Sequence, residues 1–287
     1  MSSKAEDWTV LSMLEWATGY FKEKGIPDPR HSIEWLLAET LGIKRLDLYL
    51  KYDRPLSSSE LDTLRPLVKR RAQHEPLQYI IGFSDFMNVR ICVNQHVLIP
   101  RLETEQLVEI ILDHHSSDTS YSVLDIGTGS GCIPIALKRE RAGWEVAGLD
   151  VSQKALEVAR KNAKENEVDV NFQEGDILSP ETIQVDDPLD IIVSNPPYIT
   201  QEEKDTLEPQ VREYEPHLAL FHNDMEKMYG SIIQFAESHL RASGTLYLEI
   251  HEHYAEQISA LFNSNNWKTN IQEDYDRKPR FVIAHLG

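Results

Sequence analysis

The chain has 287 residues, with 29 Lys or Arg against 47 Asp or Glu, a formal net charge of −18. Apolar residues at 41% and charged residues at 26% are ordinary for a folded protein with a real core, which excludes a disordered or fibrous chain. So large an acidic excess argues against broad binding to nucleic acid, where Lys and Arg must displace counterions from phosphates, and two cysteines, Cys92 and Cys132, are too few for a disulfide framework or a Cys-rich zinc site.

The segment Met1 to Asp7 holds no apolar run of signal-peptide length, and no stretch approaches the roughly eighteen apolar residues of a membrane span. A cytoplasmic location with no membrane partner is expected. Residues 1–80 carry 12 basic and 12 acidic side chains, so the whole deficit lies in 81–287.

The first eighty residues read as helices. Val10, Leu11, Leu14, Ala17 and Phe21 recur at helical spacing, as do Ile33, Leu36, Leu37, Thr40 and Leu41 before Gly42 stops them. Ser57 offers a cap with Glu60 three residues on, followed by Leu61, Leu64, Leu67 and Val68, with Pro66 inside or kinking that helix. Such short stripes can be buried only against one another, as a small bundle. Arg65, Lys69, Arg70 and Arg71 form a basic cluster that reads equally as a solvated helix face or a partner-facing patch.

From Tyr79 to Leu98 the chain becomes aromatic and β-branched, with Ser84-Asp85 and Asn94-Gln95 as turns. This predicts a connecting β-hairpin. After Pro100 strands alternate with helices: strands over 123–126, 146–149, 170–173, 191–193, 245–250, 270–272 and 281–284, and helices from Ile133 and over 155–166. The pattern predicts an α/β unit with a mostly parallel sheet covered on both faces. The expected organisation is a helical domain over 1–80, a hairpin linker over 81–100 and a ligand-binding α/β domain over 101–287.

At the end of the first strand of that unit stands Asp125-Ile126-Gly127-Thr128-Gly129-Ser130-Gly131. Alternating glycines let the backbone turn sharply and approach a ligand at the carboxyl edge of the sheet. The dinucleotide fingerprint G-x-G-x-x-G fails, because Cys132 or Pro134 occupies its last position, and no Lys-Ser or Lys-Thr follows to make a phosphate loop. Asp150 ends the second strand, where a carboxylate can accept both hydroxyls of a ribose or, more prosaically, cap the next helix, a task open to Ser152 as well. With the glycine loop upstream, the ribose role is favoured.

A third signal is Asn195-Pro196-Pro197-Tyr198 after the strand Leu189 to Ser194. Two prolines remove two backbone donors, so the segment offers carbonyls. The Asn195 side-chain oxygen and the Pro196 carbonyl can converge on one planar NH₂ group, with Tyr198 as a flat stacking face. A rigid turn is the plain alternative for a double proline, but here it lies at the same sheet edge as the glycine loop.

The combination resembles the class I S-adenosylmethionine-dependent methyltransferases that modify planar NH₂ nitrogens of glutamine, adenine or guanine. Glu75 to Gly82, Leu98-Ile99-Pro100-Arg101-Leu102-Glu103-Thr104-Glu105, Val123 to Leu137, Ser194 to Ile199 and Tyr214 to Phe221 further resemble the glutamine N5-methyltransferases of peptide-chain release factors, over nearly the whole chain. The resemblance implies a Rossmann-like, mostly parallel seven-stranded domain with an N-terminal helical substrate-recognition domain. It implies S-adenosylmethionine as cofactor and the glutamine of the release factor's Gly-Gly-Gln motif as acceptor. The site it implies places Gly127, Thr128, Gly129, Ser130 and Gly131 under the cofactor, Asp150 on its ribose, Asp176 and Ile177 beside its adenine, and Asn195, Pro196, Pro197 and Tyr198 around the amide.

Three stretches depart from the family: His222 to Gly230 replaces a glycine-rich turn, His251 replaces a glycine, and Asp276 to Arg280 replaces a glycine-containing approach to the last strand. His251-Glu252-His253 lacks the H-E-x-x-H spacing of a zinc site, because Ala255 stands where the second histidine belongs, and reads as a solvated strand end. Competing functions are glutamine methylation of a ribosomal protein, methylation of an exocyclic amine in nucleic acid, which the acidic 81–287 region disfavours, and an idle cofactor-binding scaffold.

Overall fold

A computed structural model describes residues 8–185, 187–222, 224–262 and 266–287. The opening segment 1–7, read above for a signal peptide, and Asn223 of the departing stretch lie outside the described residues. The chain forms two compact units: one runs to Gly82 and takes in Glu208–Tyr214, the other comprises Phe83–Leu207 and Glu215–Gly287.

In the first unit, α1 (Val10–Glu23) starts at Thr9, whose hydroxyl accepts from Ser12 N at 3.2 Å while Ser12 Oγ accepts from Thr9 N at 2.9 Å. This reciprocal cap satisfies two otherwise orphaned donors. Helix α2 (Pro29–Leu41) ends at Gly42 with φ 61°, as the sequence predicts. A 3₁₀ turn (Arg45–Leu50) leads to α3 (Ser58–Ala72), capped by Ser57 and Glu60 with Pro66 inside, and then α4 (Leu77–Ile81). The apolar stripes meet: Leu14, Phe21, Ile33, Leu36, Leu37, Leu64 and Val68 share one core. Each such side chain contributes roughly 1.5–3 kcal/mol on burial.

The basic cluster is divided, with Arg65 and Lys69 exposed, Arg70 half-buried and Arg71 inside. Arg71 is 3% exposed, and donates to Ser32 Oγ at 3.1 Å, the Glu75 carbonyl at 2.9 Å and Gln210 Oε1 at 3.1 Å. Arg70 grips Glu75 through two bonds of 2.8 and 2.6 Å, and Arg65 pairs with Asp62 at 3.1 Å. Charge on a periodic helix does not reveal which face is buried; Arg71 sits on the inner one.

The second unit opens with the hairpin β1 (Phe83–Phe86) and β2 (Val89–Cys92). It is shorter than predicted: Tyr79 to Ile81 are helical, and Ser84 and Asp85 lie inside β1, paired with Ile91 and Arg90. The chain turns at Met87-Asn88, with Met87 at φ 48° and its N–H bonded to Glu105 Oε1 at 3.0 Å. A tertiary bond holds a residue that turn propensity alone would not choose. Asn94 does make a turn, its carbonyl accepting from Val97 N.

There follow α5 (Leu102–His114), which the sequence reading passed over, β3 (Ser122–Ile126), α6 (Cys132–Glu140), β4 (Glu145–Asp150), α7 (Gln153–Glu165), β5 (Asn171–Glu174) and β6 (Leu189–Ser194). After α8 (Pro209–Tyr214), which belongs to the first unit, come α9 (His217–Leu220), α10 (Met225–His239), β7 (Leu240–Glu249), α11 (Ala255–Ala260), β8 (Trp267–Glu273) and β9 (Pro279–Leu286). The seven-stranded sheet has the order β5-β4-β3-β6-β7-β9-β8, parallel from β5 to β7, with β9 antiparallel to both β7 and β8. This is the predicted mostly parallel α/β fold, every strand within a few residues of its expected place. Helices α5 and α10 pack on β7, α6 on β3 and β4, and α7 on β4 and β5.

The register positions the site. Ile126 pairs with Leu149 on one side and Ser194 on the other, and Asp150 pairs with Glu174. The loops leaving β3, β4, β5 and β6 therefore emerge side by side at the carboxyl edge, where open α/β sheets bind ligands.

Candidate active site

The glycine loop is built for open space on one side and close packing on the other. Gly127 (φ 76°) and Gly129 (φ 54°) take conformations that favour glycine, and a Cβ at Gly127 would meet nothing within 4 Å. Gly131 (φ 79°) faces inward, where a Cβ would lie 3.1 Å from Ala159 Cβ and 3.2 Å from Phe172 Cζ. The N–H groups of Gly127 and Thr128 both donate to the Leu149 carbonyl at 2.8 Å, which folds the loop over the end of β4. Asn162 of α7 locks the back: its Nδ2 donates to the Ser130 carbonyl at 2.9 Å and the Cys92 carbonyl at 3.0 Å, and its Oδ1 accepts from Cys92 N. Thr128 and Ser130, the two non-glycine residues of the loop, are themselves buried.

Asp150 sits where the sequence reading placed it. Its Oδ2 accepts from Gly129 N and its Oδ1 from Ser152 N, each at 2.8 Å, while Ser152 takes the capping role of α7. A carboxylate has about four lone-pair positions, and the Val151 N–H also bears on this one. Asp176, after β5, accepts from Leu178 N at 2.9 Å in a tight turn. Ile177 is 8% exposed and belongs to the apolar core with Leu124, Ile126 and Leu149, so it stands mostly inside the fold.

Asp125 carries a signal that the sequence reading missed. It is 1% exposed, and neither carboxyl oxygen has a hydrogen-bond partner among the described residues. Burial pushes its pKa up to about 7, opposed by the neighbouring Thr128 hydroxyl and reinforced by the charge of Asp150. A buried carboxyl without a partner is rare in a folded protein and calls for an explanation. The clue was an acid inside the apolar strand Val123-Leu124-Asp125-Ile126.

On the neighbouring strand, Ser194 Oγ donates to the Ile126 carbonyl at 2.7 Å and fixes the start of the Asn-Pro-Pro-Tyr segment against the glycine loop. Asn195 Nδ2 donates to Thr104 Oγ1 at 3.0 Å, and Thr104 donates to Glu249 Oε2 at 2.8 Å. Tyr198 OH lies 3.4 Å from Glu249 Oε1. Glu249 is fully buried, and burial raises its carboxyl to about 7 against the pull of Thr104 and Arg280. Pro196 is buried, and Pro197 is half-buried beside it. The Asn195 carbonyl oxygen is thus left for an external donor.

The motif segments converge here. Arg101 pairs with Glu215, which is 3% exposed and also accepts from Ile99 N at 3.1 Å, joining the Pro100-Arg101 segment to the one after the Asn-Pro-Pro-Tyr loop. His251 is not simply solvated. Its ring lies 5.9 Å from that of Tyr198 and its Nε2 3.4 Å from Glu203 Oε1, and burial lowers its pKa while Glu203 opposes. In the third departing stretch, Asp274 accepts from Asp276 N and Lys278 N and holds Arg280 Nε at 3.1 Å, directing Arg280 Nη1 to the Ile250 carbonyl.

The chain is similar to known proteins along most of its length. A model described as the PrmC N-terminal domain matches residues 12–82, and one described as the methyltransferase small domain matches 103–218. A release factor glutamine methyltransferase of Geobacter sulfurreducens is 40% identical over 92% of this chain and 91% of its own length; one of Chlorobaculum tepidum is 41% identical over 95% and 96%. Among solved structures, a methyltransferase from Pyrococcus furiosus shares the fold, with a TM-score of 0.50 at 16% identity over 69% of this chain and 88% of that one. Together, these likenesses over nearly the full length show that the chain belongs to the release factor glutamine methyltransferase family.

Proposed function

We propose that this protein transfers a methyl group from S-adenosylmethionine to the side-chain amide nitrogen of the glutamine in the Gly-Gly-Gln motif of peptide-chain release factors. The observation that carries the reading is the Asn195 amide, with its NH₂ committed to Thr104 and its carbonyl oxygen left over, beside a proline carbonyl at the edge that also holds the glycine loop. Family relationship to enzymes of that activity supports it.

S-adenosylmethionine supplies an electrophilic methyl group on a sulfonium. The residues present fit such a ligand: Gly127 and Gly129 leave room above the loop, Asp150 would accept from the ribose hydroxyls, and the orphaned Asp125 would pair with the ammonium. Asp176 would accept from the adenine amine, and the outer edge of Ile177 would border the ring.

Asn195 Oδ1 and the Pro196 carbonyl would each accept one N–H of the acceptor amide. An amide nitrogen is a poor nucleophile, because its lone pair is delocalised. Two fixed acceptors increase electron density on nitrogen and stabilise the positive charge that grows there, while Tyr198 flanks the plane of the amide. Alignment of the reacting atoms adds several kcal/mol, with a limit of roughly 7–11. The proton leaves after transfer, so no base has to act first.

Among the described residues no helix is long and apolar enough to cross a membrane, and we assign a cytoplasmic site of action. Recognition of the protein substrate falls to the N-terminal helical unit, which exposes Trp16, Leu46 and Leu50. The test is to incubate the protein with labelled S-adenosylmethionine and, separately, a release factor, ribosomal proteins and DNA, and to map the label by mass spectrometry. Label on the Gly-Gly-Gln glutamine is expected; label on an adenine, or on ribosomal protein alone, overturns the reading.

A further inference from the structure

Behind the acceptor site lies a hydrogen-bonded chain whose polarity is set by a proton count. Asn195 Nδ2, Thr104 Oγ1 and Glu249 Oε2 are linked at 3.0 and 2.8 Å. The three residues come from the loop after β6, the first turn of α5 and the last residue of β7. Thr104 and Glu249 are 3% and 0% exposed, so no bulk water competes for these atoms.

A carboxylate has no proton to give, so the proton in the lower link must come from the Thr104 hydroxyl. That hydroxyl then has only lone pairs left, and the Asn195 end facing it must be the NH₂. The carbonyl oxygen consequently faces away from Thr104. If Glu249 instead carried a proton, it could donate to Thr104, freeing the Thr104 hydrogen to point at Asn195. The amide could then turn over and meet the acceptor NH₂ with an NH₂ of its own, a contact with no acceptor in it.

We propose that Glu249 and Thr104 are positioning residues that act through Asn195: the ionised carboxylate, relayed by the threonine hydroxyl, selects the amide orientation that accepts from the substrate. This rests on the proposed amide methylation. The groups that face Glu249 are Thr104 and Glu103 from α5, Cys132 at the start of α6, Tyr198 from the loop after β6, Tyr229 of α10, whose hydroxyl donates to the Glu249 carbonyl at 3.1 Å, and Arg280 of β9. Arg280 favours the charged form and Glu103 opposes it, and the carboxyl titrates near 7 because burial outweighs the rest. Turnover therefore rises as pH increases through that region, as the charged carboxylate takes over.

Thr104→Val keeps the shape and deletes the relay. Expected is a fall in kcat of about 10–100-fold, with an unchanged KM for S-adenosylmethionine; Thr104→Ser recovers most of the loss. Glu249→Gln keeps the volume and removes the titration, so the rise of kcat near pH 7 is expected to disappear. A readout without substrate accompanies these: the Asn195 side-chain NH₂ resonances, assigned by their loss in Asn195→Asp, are expected to be exchange-protected in the wild type and Thr104→Ser, unprotected in Thr104→Val, and to shift with pH only while Glu249 is present. Wild-type kcat and pH profile in Thr104→Val, or Asn195 resonances indifferent to Thr104 and Glu249, overturn the proposal. A wild-type protein that methylates no glutamine refutes the parent reading, while the resonances still decide whether the relay exists.

Discussion

Asp125 offers a test in which stability and binding move in opposite directions. Its carboxyl is 1% exposed and unpartnered among the described residues, and burial raises its pKa from 3.8 to about 7. A folded-state pKa above the unfolded one means the folded protein keeps a proton that the unfolded chain releases. The group is therefore neutral to folding at low pH and becomes a penalty as pH rises from about 4 to about 7, complete above that. Three pKa units correspond to about 4 kcal/mol as an upper value, and an asparagine amide at the same place keeps a desolvation cost of about 1–3 kcal/mol. Asp125→Asn should then stabilise the cofactor-free protein by about 1–3 kcal/mol at pH 8, or about 2–12 °C in Tm for a unit of this size. At pH 4 the carboxyl penalty is gone while the amide cost remains, so the gain should disappear and give way to a loss of up to about 1–3 kcal/mol. Calorimetric melts of both proteins from pH 4 to 8 give the difference directly, since other titrations cancel. The same variant should bind S-adenosylmethionine about 10–100-fold more weakly, through loss of a charge-assisted bond. A Tm difference that does not change with pH, or undiminished cofactor affinity, would refute the reasoning.

Other consequences follow from packing. Gly148 of β4 runs beneath the glycine loop, where a Cβ would lie 2.8 Å from both Phe172 Cδ1 and Thr128 Oγ1, so Gly148→Ala should cost about 1–3 kcal/mol in urea unfolding and weaken cofactor binding by displacing Thr128. Gly19 in α1 is exposed, with nothing within 4 Å of a built Cβ, and Gly19→Ala should stabilise by about 0.5–1 kcal/mol. Arg71→Met removes donors to Ser32, Glu75 and Gln210, and a loss of about 2–4 kcal/mol is expected in denaturant titration; unchanged stability with a raised KM for the protein substrate would return Arg71 to a surface role.

What the sequence made legible was what is contiguous along it. Gly127 to Gly131, Asp150 and Asn195 to Tyr198 each follow a strand directly, and a parallel sheet brings such strand ends together without further information. Thr104 stands in a stretch that resembles the family, but its link to Glu249 was out of reach because the partnership joins residues separated by 145 positions. Asn162 was hidden in the same way, as one polar residue on an otherwise regular helix, yet it ties the hairpin to the glycine loop. The hairpin turn was misplaced because Met87 adopts a positive φ while its N–H donates to Glu105, whereas turn propensity pointed to Ser84-Asp85. Arg71 looked like surface because helical period locates apolar faces and says nothing of a buried guanidinium.

The central claim is that Asn195 accepts from the amide being methylated. Its most direct test is single-turnover methylation of a release factor by Asn195→Ala, with the product glutamine quantified by mass spectrometry and cofactor binding measured on the same sample. Loss of one oriented acceptor in the transition state should slow transfer about 10²–10³-fold, with cofactor affinity changed by no more than a few-fold. Transfer at the wild-type rate would contradict the account, and so would a loss explained entirely by failure to bind S-adenosylmethionine.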